Sequence, residues 1–129
     1  MTESGFKKWV VALGAGCALL AVVIGAFSAH ALKQLLDAYA LGLVETGARY
    51  QMYHALGLVL VGCLASTSGF SRRWLRFTMI LFCIGIVLFC GSLYLLALSG
   101  VSAWGAVAPI GGAAFIFGWL TLILAALIE

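Results

Sequence analysis

From Trp9 to Ala29 the chain carries no charged residue, and a helix over that run is about 31 Å long at 1.5 Å per residue, enough to cross a bilayer core. A second uncharged run, Phe77 to Leu98, is also long enough. Backbone groups inside hydrocarbon find no water to bind, so runs of this kind must be helical. Composition agrees. Of 129 residues 65% are hydrophobic and 9% charged, with a mean hydropathy of +1.21. A soluble domain carries about 25% charged residues, so this chain cannot cover a water-facing surface. The net charge of +3 is too small and too scattered to suggest nucleic acid. Cys17, Cys63, Cys83 and Cys90 fall in apolar runs and are expected as small buried hydrophobes.

The expected architecture is an all-α integral membrane protein, a single domain over 1–129. Its four spans, roughly 9–30, 45–68, 72–98 and 103–128, pack as an up-down four-helix bundle. Lys7-Lys8 and Ala29-His30-Ala31 also suit a signal peptide, and Leu13 to Cys17 loosely resembles a lipoprotein box. The apolar run exceeds the roughly 7–15 residues of a signal core and further spans follow, so a retained helix is expected. Ala21, Gly25 and Ala29 form small-x-x-x-small steps for close helix approach.

Segment 31–44 places Leu32, Leu35, Leu36 and Tyr39 on one helical face and reads as a short interfacial amphipathic helix, with an ordered loop as the alternative. The second span opens with Glu45 and Arg49 at i, i+4, the favourable order for an ion pair, and Gly69 suits its C-terminal cap. Ser71 is the expected N-cap of the third span, which Ser99-Gly100 closes. Pro109 either opens the fourth span or kinks one that starts near Ser102. The second is favoured, because Trp104 then anchors at the interface. Gly111, Gly112 and Gly118 would thin that helix for packing.

Orientation follows from the bases. Lys7, Lys8, Arg72, Arg73 and Arg76 share one side, while Lys33 and Arg49, accompanied by Asp37 and Glu45, fall on the other. The positive-inside rule therefore puts both termini in the cytoplasm.

Chemistry, if any, belongs to the stretch Glu45 to His54, where ionisable residues meet a lipid-soluble helix. By helical rise, His54 stands roughly 20 Å above the cytoplasmic boundary and His30 roughly 30 Å. An ionisable residue inside a span is a functional-site hypothesis, yet a neutral histidine also serves as interhelical glue. Ser92 and Tyr94 on the third span reach a suitable height to be its partners. A bis-histidine haem site requires His30 and His54 to close a difference of about 10 Å. A His/Cys metal site and a serine hydrolase fare worse, for want of ligand or nucleophile spacing. Arg49, with Tyr50, Gln51 and His54, suits an anionic lipid headgroup or a quinone-like head, or Arg49 simply snorkels beside Glu45.

Three blocks together, Gly25 to Lys33, Glu45 to Leu56 and Pro109 to Gly112, resemble domain-of-unknown-function family 423, small membrane proteins of bacteria with a relative in animals. The resemblance spans nearly the whole chain and implies a four-span protein of the bacterial inner membrane with no established activity. It also carries over His30, Glu45, Arg49, Tyr50, Gln51, His54, Pro109 and Gly111 as motif positions. Ser28 and Gly47 stand where the pattern has glycine and a larger apolar residue, and Gly47 is expected to loosen the start of the second span.

The leading expectation is a non-enzymatic membrane protein whose outer-leaflet polar patch binds a lipid or a partner protein. The alternative is a redox or transport component using His54, and His30 with it, for proton transfer or cofactor binding. No cofactor is required, though a haem or a quinone fits the second reading. Membrane lipids, a second copy or another membrane protein are the expected partners.

Overall fold

The protein is described by a computed structural model covering residues 2–128, and the described chain is built from helices. Thr2 caps the first, α1 (Glu3–Ala29): its hydroxyl accepts the Gly5 N–H at 3.1 Å, and Glu3 complements the positive helix end. The polar lead is thus part of α1 rather than a tail before it. A corner at His30 leads into the short α2 (Ala31–Leu35).

The third helix, α3 (Ala38–Leu64), begins earlier than Glu45 because Asp37 caps it, Oδ1 accepting the Ala40 N–H at 2.8 Å. The interfacial segment expected over 31–44 is therefore split, and only α2 stands apart from the long helix. α3 also ends earlier than Ser68, at Leu64, so Gly69 is no helix cap. It sits in the following turn with φ +92°, in the left-handed region.

Ser71 precedes α4 (Arg72–Gly85) as expected, but its side chain makes no capping bond. Its backbone N–H instead reaches the Ala125 carbonyl at 2.9 Å. α4 continues through a π-helical turn, Ile86–Cys90, into α5 (Gly91–Ser99), making one rod that Gly100 ends in the left-handed conformation. The last helix, α6 (Ala103–Leu127), carries Pro109 inside it, which decides between the two expected starts.

Among the described residues, α1, the α4–α5 rod and α6 are long and apolar enough to cross a membrane. α3 is as long as α1, but Glu45, Arg49, Gln51 and His54 make it more polar.

Two seams of glycine set the packing. α1 lies along α3, where Gly14 faces the Ala55 carbonyl and Val59, and Gly62 faces Val11. The α4–α5 rod lies along α6, where Gly111 meets the backbone of Phe89 and Gly118 meets the Phe82 ring. An added methyl would collide at each position, so these glycines let the backbones approach. Gly25 is different: it has open space around it, and of the expected Ala21–Gly25–Ala29 steps only Ala21 is buried. Gly112 makes ordinary contact with Phe89. Leu58, Val61, Leu75, Phe82, Cys90 and Phe115 form the buried core. Cys90 is buried as expected, whereas Cys63 is exposed, because it lies on the outer face of α3.

Candidate functional site

The polar residues of α3 do not form one patch. Consecutive helical positions diverge by about 100°, so Gln51 and His54 leave opposite flanks of the inner face. Gln51 is buried and joins three helices. Its amide NH₂ donates to the Cys17 carbonyl of α1 at 2.8 Å, and its Oε1 accepts the Tyr94 hydroxyl of α5 at 2.8 Å. Gly47 makes room for this arrangement: a Cβ there would lie 2.6 Å from the Tyr94 ring. The glycine expected to loosen the helix is a seat for Tyr94.

His54 turns toward α6. Its Nδ1 lies 2.7 Å from the Tyr50 carbonyl, and its Nε2 accepts the Trp119 indole N–H at 3.1 Å. The carbonyl needs a donor and the indole needs an acceptor, so the ring is neutral with the proton on Nδ1. Its face stacks on Phe115 at 3.5 Å between centroids and 10° between planes, and Phe82 stands edge-on at 5.1 Å. Both nitrogens are engaged.

The expected partners of His54 lie elsewhere. Tyr94 serves Gln51, and the Ser92 hydroxyl donates to the Leu88 carbonyl of its own rod. His30 is exposed at the α1–α2 corner, with no side-chain cap bond, and is not brought to His54. Glu45 and Arg49 are exposed and form no ion pair with each other; among the described residues the ion pair is Arg72 with Glu3, at 2.8 Å. Among the described residues no three His, Cys, Asp or Glu side chains come together.

Sequence reasoning missed Trp119 and Phe115. A signal existed: a histidine within a span needs a donor or acceptor at its own depth, and Trp119 is an indole well inside a span rather than at its end.

α3 and α6 meet through these side chains rather than by close backbone approach, which leaves a lateral cleft of about 670 Å³ between them. Tyr50, Tyr53 and His54 line one wall, Pro109, Ala113, Ile116 and Trp119 the other, and Phe89 and Phe115 stand at the back. Tyr53 and Ile116 at its lip are 52% and 71% exposed, so the cleft opens sideways from the molecule.

An all-helical membrane protein whose buried polar groups hold helices to one another is the class that this fold and site define. The family model described as "Protein of unknown function (DUF423)" matches residues 24–112. A UPF0382 membrane protein of Staphylococcus haemolyticus is 42% identical over 117 residues, covering 91% of this chain and 93% of the relative. The UPF0382 membrane protein YwdK of Bacillus subtilis is 45% identical over 124 residues, covering 92% and 96%. The UPF0382 inner membrane protein YgdD of Escherichia coli is 32% identical over 121 residues, covering 94% and 91%. The chain belongs to the DUF423 family, as its three sequence blocks imply. No solved structure matches it.

Proposed function

We propose that this chain is a four-span protein of the bacterial inner membrane, both termini cytoplasmic, that holds a membrane lipid in the α3–α6 cleft without catalysing a reaction. In this reading α3 is the fourth span, tolerated because Gln51 and His54 are satisfied by neighbouring helices, and α2 lies at the outer interface. The observation that carries the proposal is the shape of the cleft. Pro109, Ala113, Ile116 and Trp119 run as a stripe down α6, about 15 Å along the helix axis, so the cleft is a groove parallel to lipid tails. Its aromatic and aliphatic walls suit an acyl chain, and its open side faces the layer in which acyl chains lie.

Native mass spectrometry of the full chain released from lipid nanodiscs tests this. Wild-type protein retains phospholipid, and Ala113→Trp, which fills the exposed groove without entering the core, loses it at unchanged melting temperature. Equal retention by both proteins would remove the groove as the site.

A further inference from the structure

Glu45 and Arg49 stand one turn apart on the outward side of α3, both exposed, and neither has an ion-pair partner among the described residues. Arg49 lies about 16 Å along the helix from Ala38, so on the four-span reading it faces the outer leaflet. A lone cation facing lipid at depth is costly and marks a place where something else binds.

The surroundings repeat along the helix. Gly42, Arg49, Leu56 and Cys63 recur every seven residues, and Glu45 and Leu60 flank them. Leu56 is 57% exposed, Leu60 is 43% exposed, and Gly42 has open space around it. The opposite face of α3, with Val44, Ala48, Ala55 and Val61, is buried against its own chain. A seven-residue seam is the geometry of two helices packed at a shallow left-handed angle.

We infer that a second copy of this chain packs along this seam, α3 against α3 about a two-fold axis, with Glu45 of each copy meeting Arg49 of the other. An isologous interface needs a patch that is its own complement. An acid and a base about 6 Å apart along one stripe meet that condition. A lipid phosphate would neutralise Arg49 and leave Glu45 bare, whereas a second copy neutralises both. The seam lies beside the α3–α6 cleft and does not depend on what the cleft holds.

The test uses the full chain in liposomes, with subunits counted by single-molecule photobleaching as the protein is diluted in lipid. Wild type is dimeric. Arg49→Glu or Glu45→Arg alone places like charges across the seam and lowers the dimer affinity about tenfold or more, and exchanging both residues restores it. Copper-phenanthroline oxidation then joins two chains through Cys63, and Cys63→Ser abolishes that band. A monomer at every dilution overturns the inference, as does a dimer indifferent to both single reversals or one cross-linked through Cys17. Release of a phospholipid by Arg49→Ala but not by Glu45→Ala overturns it in favour of lipid. Should the single reversals not fold, the double exchange and the Cys63 cross-link still decide.

Discussion

Trp119 donates its indole N–H to Nε2 of His54 at 3.1 Å, and this bond spans two helices whose backbones do not pack closely. Hydrogen bonds between membrane helices contribute about 0.6 kcal/mol on average and up to about 1.7. The bond therefore does more to select which faces meet than to hold them. Stacking of the imidazole on Phe115 supplies the packing.

That division predicts a graded series at one position. His54→Phe keeps an aromatic ring against Phe115 and loses the indole bond, costing about 1 kcal/mol. His54→Ala removes both and leaves a void, costing about 2–4 kcal/mol. Unfolding by SDS titration in mixed micelles measures each, and equal losses would mean that stacking contributes nothing.

Gln51 and Tyr94 form one unit with the Cys17 carbonyl, so their removal is not additive. Gln51→Leu and Tyr94→Phe each destabilise by about 1 kcal/mol, and the double variant loses less than the sum by about 0.5 kcal/mol or more. A double-mutant cycle in the same micelles reads the coupling directly.

The glycines separate into those that a neighbour needs and those that it does not. Gly111→Ala forces its methyl into the Phe89 backbone and costs about 1–3 kcal/mol. Gly25→Ala meets nothing and is neutral or stabilising by up to about 1 kcal/mol, since alanine is the better helix former. Thermal denaturation of the pair, run side by side, checks the contrast.

Ser28 is buried, and its hydroxyl has no hydrogen-bond partner among the described residues. Removing an unsatisfied buried hydroxyl relieves its desolvation penalty, so Ser28→Ala raises stability by about 1 kcal/mol. A lowered melting temperature would show that the hydroxyl does have a partner.

Much of the fold was legible before any coordinates. The charge-free run from Trp9 to Ala29 and its counterpart from Phe77 to Leu98 demand helices, because hydrocarbon leaves backbone amides no other partner. Gly100 was equally readable, because backbone chemistry there is local, whereas Pro109 suits both the first turn and the interior of a helix and only the structure placed it inside α6. Asp37 is a local cap signal as well, but it lies inside the apolar stripe from Leu32 to Tyr39, whose helical spacing runs across the real helix boundary.

What the chain alone determined, then, is that it is helical, that it suits a membrane, and that Gln51 and His54 must be satisfied. The tertiary structure decided by whom. Around α1 and α6 there is no contrast between polar and apolar faces, so no pattern in the residues says which side turns toward which neighbour. Close glycine seams set those rotations, and only once they are set does the imidazole meet an indole from α6 while the amide beside it reaches α1 and α5.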